Sequence, residues 1–231
     1  MLSLVKELCL LNGVSSGEDE VRAFIREKAA PYAEAMRTDA LGNLIVFKKG
    51  AKATGNKLML TAHMDEVGFI VNDITEDGYL KFAPVGGIDP RVVIGKRVSV
   101  GLGRVQGAIG LKAYHLVSAE EEKNVPKFED MYIDIGARDR ADAEAAVALG
   151  ALVSFESDAV EFGCGMFKAK AIDDRVGCAV MLKLLEEELP MDCTFVFSTQ
   201  EEVGTRGAFG AAFSVTPEIA LVLEGTTAAD L

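Results

Sequence analysis

The 231 residues are 49% hydrophobic and 26% charged, with 23 glycines and no tryptophan, which fits a globular chain forming one large domain or two smaller ones rather than three. A formal charge of −12 argues against a nucleic-acid partner, whose phosphates need clustered Lys and Arg, and is compatible with a metal site built from carboxylates. Cys9, Cys164, Cys178 and Cys193 are too widely spaced for a disulfide framework or a structural zinc site, so they read as reduced thiols of a cytoplasmic protein.

The opening segment MLSLVKELCLLNG is not a signal peptide, because Lys6 and Glu7 interrupt its apolar run, and no later run is long enough to span a membrane. Ser3 is placed to cap a first helix whose face carries Leu4, Leu8 and Leu11, with Asn12-Gly13 as its stop. Ser16 or Gly17 opens a second helix marked by Val21, Phe24, Ile25, Lys28 and Tyr32. Residues 35 to 47 alternate around Leu41-Gly42-Asn43, which predicts a hairpin, and 48 to 57 reads as a solvated basic loop. The run 57 to 62 is apolar on both faces, as a buried central strand would be.

From 67 to 162 the texture changes to short strand-like pieces such as GFIVNDI, GYLKFAPV and MYIDIGA, separated by Gly, Pro and Asp, with one helical stretch at 139 to 149. This predicts a small all-β barrel or sandwich. Gly101, Gly103, Gly107 and Gly110 lack GxGxxG spacing and read as strand bends, and 119 to 126 reads as an exposed loop. After 163 the alternation of helix and strand returns: a long helix in DDRVGCAVMLKLLEEEL, then buried strands in CTFVFSTQ and IALVLEG. The predicted architecture is a discontinuous α/β domain, 1–66 and 163–231, interrupted by an inserted β domain, 67–162.

Three predicted strand ends carry ligand-type residues. His63 ends the strand at 57 to 62, Glu201 and Glu202 follow that at 193 to 199, and Glu224 ends that at 219 to 223. If these strands are parallel neighbours, their side chains converge at the carboxyl edge of the sheet, where open α/β sheets bind ligands. Asp173, before the long helix, reads as an N-cap by itself and as a bridging carboxylate in that company. Asp65 shares a face with His63 and can accept the imidazole's second N–H, as a partner of a metal-bound histidine does. Of two adjacent carboxylates on an extended segment, one can bind metal while the other faces a water. His115 has no such company and is assigned no role.

The motifs HMDEVGF, AIDDRVG, STQEEVGTRGA and LVLEGTTAAD, in this order, resemble the M42 metallo-aminopeptidases, the tetrahedral and glutamyl aminopeptidases. The resemblance runs along essentially the whole chain. It implies a mixed-sheet metallo-exopeptidase domain with an inserted barrel or PDZ-like dimerisation domain, acting on peptides. The position of the insert, between HMDEV and AIDDR, distinguishes this pattern from the M20 exopeptidases, whose extra domain follows the Glu-Glu motif. The resemblance further implies two divalent ions, zinc or cobalt with manganese tolerated, bridged by Asp173. His63 and Glu224 would complete one ion and Glu202 would serve the other, with Glu201 as general base and Asp65 orienting His63.

It implies assembly too, from a dimer up to a tetrahedral dodecamer, with neither nucleic-acid nor membrane partner. In this family a histidine beyond EGTTAAD supplies a fifth ligand, so the chain is expected to be C-terminally truncated and weakly active or inactive by itself. A chain ending just after a buried strand should also leave apolar surface uncovered. The competing readings are a non-catalytic oligomer-forming scaffold subunit and a metal-dependent deacylase or glycosidase.

Overall fold

The computed structural model describes residues 1–52 and 57–226. Residues 53–56 of the expected basic loop, and 227–230 of the last motif, lie outside them. Helices α1 (Leu2–Cys9) and α2 (Asp19–Ala29) lead into strands β1 (Ala35–Thr38), β2 (Leu44–Lys48) and β3 (Leu58–His63). Strands β4 (Gly68–Ile74), β5 (Leu80–Val85), β6 (Arg97–Val100), β7 (Val105–Gly110) and β8 (Tyr132–Asp134) follow, then helix α3 (Arg140–Ala146) and β9 (Leu152–Phe155). A hairpin of β10 (Val160–Phe162) and β11 (Met166–Lys168) precedes α4 (Ile172–Glu186), β12 (Cys193–Ser198), α5 (Arg206–Val215) and β13 (Ile219–Val222).

The chain divides into two compact units, Met1–Glu66 with Asp158–Leu231, and Val67–Ser157. The first holds a five-stranded mixed sheet ordered β1-β2-β12-β3-β13. The pairs β1/β2 and β2/β12 are antiparallel, whereas β12/β3 and β3/β13 are parallel. Alternation along the central strands separates two cores. Leu44, Val46, Leu60, Ala62, Phe195 and Phe197 face a core shared with α1, α2 and α4, while Ile45, Met59 and Val196 face Ala211 of α5. Full burial of Phe195 and Phe197 is worth about 1.5–3 kcal/mol each, which anchors β12 at the centre of the sheet.

The second unit is a closed barrel, β4-β5-β8-β7-β6-β9, which leaves no open sheet edge. Phe69 centres its core, with edge-on contacts to Phe82 at 4.7 Å and Phe155 at 5.2 Å between ring centroids. The mixed α/β architecture is the coarse fold that the sequence predicts, and of the barrel and sandwich it allows for the second unit the structure shows a barrel, of six strands. Among the described residues no helix is long and apolar enough to cross a membrane.

Several local expectations are corrected. Ser3 lies inside α1, whose N-cap is Met1, and its hydroxyl donates to Glu7. The second helix opens at Glu18 rather than Ser16 or Gly17. The hairpin β10–β11 belongs to the first unit, so the chain returns at Asp158 rather than 163; Phe167 packs on the first core, and Lys6 pairs with Glu161. Gly107 and Gly110 lie within β7 where a Cβ would strike Ile133 and Tyr132, so close packing rather than a bend requires them.

Helix α5 is absent from the sequence reading. Four of its first six residues are Gly or Ala, which blurs any apolar period, and its burial rests on Gly207 and Ala211. Strand β13 is exposed rather than buried, because its outer edge has no neighbour among the described residues. Its Ile219, Leu221 and Val222, together with Phe209 and Phe213 of α5, leave apolar surface in solvent.

The thiols yield a prediction. Cys9, Cys178 and Cys193 are buried, and burial raises Cys9 and Cys193 to about 11 and Cys178 further still, whereas Cys164 is exposed. At mildly alkaline pH an alkylating reagent is expected to label Cys164 quickly and the other three only on unfolding. Mass-spectrometric detection of labelled Cys178 in the folded chain would contradict the packing of α4.

Candidate metal centre

Strand β3 runs parallel to both of its neighbours, with His63 opposite Ser198 of β12 and Thr61 opposite Val222 of β13. The strand ends that follow, Asp65, Glu201-Glu202 and Glu224, therefore leave the sheet at one edge. His63 Nε2 lies 3.1 Å from Asp173 Oδ1 and 3.4 Å from Glu224 Oε1, and one ligand atom from each of the three residues lies within 4.8 Å of the others. The imidazole is buried, with 2% of its side chain exposed, while Asp173 and Glu224 are half open at 54% and 42%. A buried nitrogen facing two open carboxylates is a donor set suited to a divalent ion.

The electrostatics agree with that fit. Burial opposes an imidazolium, but the hydrogen bond and charge of Asp65, with Asp174 and Glu224, outweigh it and lift His63 to about 10. Burial, then a hydrogen bond shared with Asp173, raises Glu224 to about 7, and burial also raises Glu202. The site thus crowds carboxylates round a position that favours positive charge, which a metal ion can supply.

Asp65 is fully buried. Its carbonyl lies 3.0 Å from His63 Nδ1 and its Oδ1 3.4 Å, so the nearer partner for the second ring nitrogen is the backbone oxygen. The carboxylate accepts from Ser15 Oγ at 2.5 Å and from the Glu201 and Glu202 amides at 3.0 and 3.2 Å. Burial works against its charge, but the hydrogen bonds from His63, Ser15 and Glu201 hold it below the usual carboxylate range. One side chain thereby ties the end of β3 to the Glu-Glu segment. The Glu202 carboxylate is not part of the close trio with His63.

Asp173 does not cap α4; Ala171 occupies that place, and the Asp173 and Asp174 backbones are non-helical. Asp174 makes the capping contact, accepting the Gly177 amide at 3.1 Å and the His63 amide at 3.2 Å, which frees Asp173 to face His63. Burial raises Asp174 to about 6.

Sequence reasoning misses the support beneath the site. Arg175 is fully buried, and it donates to the carbonyls of Met64 at 2.8 Å, Leu8 at 2.6 Å and Leu11 at 3.4 Å. Its Nη2 stands 3.8 Å from Glu66, which accepts from Lys170 and from the Gly13 amide, both at 2.9 Å. A signal for Arg175 exists: it shares a helical period with buried Cys178, Ala179 and Leu182. Asn43, also buried, accepts the Thr199 amide at 2.9 Å and donates to the Gly207 carbonyl at 2.9 Å.

Gly207 is held so tightly there that a Cβ would come 2.3 Å from the Thr199 carbonyl and 2.4 Å from Asn43 Oδ1. Gly207→Ala is expected to destabilise by about 1–3 kcal/mol, read as a lower denaturant midpoint. An unchanged midpoint would mean that α5 packs elsewhere.

The model of the M42 glutamyl aminopeptidase family matches residues 42–231. A protein of Acetivibrio thermocellus with a provisional aminopeptidase name is 42% identical over all of this chain and 67% of its own length. A TET aminopeptidase of a marine sediment Thaumarchaeota archaeon superposes with a TM-score of 0.93 at 35% identity, covering 100% of this chain and 67% of its own. The TET1 peptidase of Pyrococcus horikoshii, which can assemble into a tetrahedron or a large octahedral shell, superposes at 0.88 with 30% identity, covering 100% and 72%. The chain spans about two thirds of the length of the curated relatives it matches. With that agreement over its whole length, the chain belongs to the M42 glutamyl aminopeptidase family.

Proposed function

We propose that this chain carries the metal centre of a metallo-aminopeptidase that removes N-terminal residues from peptides. The observation that carries the reading is the convergence of His63, Asp173 and Glu224 at the sheet edge where Asp65 also anchors Glu201 and Glu202. His63 and Glu224 would hold one divalent ion, Glu202 the other, and Asp173 both, with zinc or cobalt suiting this donor set and manganese tolerated. When bound, the ions supply Lewis acidity that polarises the scissile carbonyl and acidifies water.

The remaining roles belong to the chain. A carboxylate oxygen of Glu201 takes the proton from the attacking water and passes it to the leaving amine, so one group serves as base and then acid. Asp65 keeps the Glu201 and Glu202 backbone fixed and limits the rotation of His63, so both carboxylates meet the substrate with little reorganisation. Among the described residues, His63, Glu224 and Asp173 would serve the first ion, and Glu202 and Asp173 the second. His115, the other histidine, belongs to the barrel unit.

Family membership and the assembling TET1 relative support a homo-oligomer, and the barrel unit 67–157 is the candidate dimerisation module. The test is metal-loaded protein assayed against peptides with free and acetylated N-termini. At most slow release of the first residue, from the free peptides alone, is expected. Cleavage of acylated amino acids or glycans without action on free peptides would replace this reading with the deacylase or glycosidase one. Ordered assemblies with no hydrolysis in excess zinc or cobalt would favour the scaffold reading.

A further inference from the structure

Four consecutive amides, Thr199 to Glu202, donate to side chains rather than to a strand partner. Asn43 takes the first, Glu18 the second at 3.1 Å, and Asp65 the third and fourth. Successive N–H groups turned to one side form a concavity that selects an anion, and here two buried carboxylates fill it. Glu18 is 3% exposed and sits at the start of α2, far in sequence from the segment it grips.

Its Oε1 accepts a second amide, that of Ser16 at 2.8 Å. Ser16 and Gln200 are both left-handed, with φ of 76° and 55°, a conformation that costs a non-glycine residue about 1–3 kcal/mol unless its surroundings enforce it. One carboxylate oxygen thus receives the amides of two strained residues, one on each of the segments it joins. Ser15, next to the first, donates to Asp65, which closes a ring of contacts round the Glu201-Glu202 backbone.

We infer that Glu18 is a positioning residue for the Glu201-Glu202 segment, holding Gln200 left-handed so that the two following carboxylates keep their place beside His63 and Asp173. Its consequence for turnover rests on the proposed aminopeptidase reading; its consequence for the backbone does not.

The test compares Glu18→Ala and Glu18→Gln with Glu27→Gln, an exposed change on the same helix. Amide exchange at residues 199–202, followed by NMR in the whole chain, is expected to quicken about ten- to a hundredfold in Glu18→Ala, less in Glu18→Gln, and not at all in Glu27→Gln. Exchange elsewhere in the first unit should hold. In metal-loaded protein with peptidase activity, kcat should fall by about the same factor with KM nearly unchanged.

Unchanged exchange at 199–202 in Glu18→Ala, or a rise spread evenly over the first unit, would overturn the inference. So would a loss of kcat/KM carried by a raised KM alone. If Glu18→Ala does not fold, Glu18→Gln, which keeps the shape and one acceptor oxygen, decides by the same readings. A wild type that hydrolyses no peptide would defeat the functional reading alone and leave the exchange result to judge Glu18.

Discussion

Glu201→Gln is expected to lower turnover of the metal-loaded enzyme by about 10²–10⁴-fold while leaving bound metal nearly unchanged. The amide keeps the volume and the backbone bond to Asp65 Oδ1, so the segment stays in place and only the ability to take a proton is lost. Glu202→Gln should behave differently: one ion weakens, and activity returns as zinc or cobalt is raised. Metal content after dialysis and rate against metal concentration separate the two. Equal metal loss in both variants would contradict this division, and recovery of Glu201→Gln at high metal would reverse it.

Arg175→Met is expected to destabilise the chain by about 3–5 kcal/mol, the scale for removing one partner of a buried charged network. The carbonyls of Leu8, Leu11 and Met64 lose the Arg175 guanidinium, and Glu66 is left with Lys170 and the Gly13 amide against its charge. Met64 follows His63 directly, so the loss should be felt at the metal centre as well as in the core. Denaturant unfolding with an unchanged m-value measures the first effect. Arg175→Lys should recover only part, because a single ammonium cannot span three carbonyls set out for a planar fork. A cost below about 1 kcal/mol for Arg175→Met would mean the network is not structural.

The candidate site is legible in the sequence because strand-end position is. His63, Glu201, Glu202 and Glu224 each follow a short apolar run, and parallel β12, β3 and β13 bring those ends to one edge. The contact of Asp65 with His63 is likewise visible as a two-residue spacing, though the oxygen nearer the ring is the carbonyl. What the sequence hides is the support, because it is non-local. Glu18 meets Gln200, Ser15 meets Asp65 and Arg175 meets Leu8 across separations that no period reports.

Asp173 and Asp174 show the same limit at short range. Both look like caps of one helix, and only the local backbone decides that Asp174 takes Gly177 while Asp173 turns to His63. The exposed β13 fails for a different reason. Its composition is that of an inner strand, and burial depends on neighbours that composition does not specify.

The reading as a whole stands on an ion held by His63, Asp173 and Glu224. The most direct measurement is anomalous diffraction at the zinc edge from crystals grown with zinc. A peak is expected about 2.0–2.2 Å from His63 Nε2 and from a carboxylate oxygen each of Asp173 and Glu224. Strong peaks elsewhere with none at this trio would contradict it.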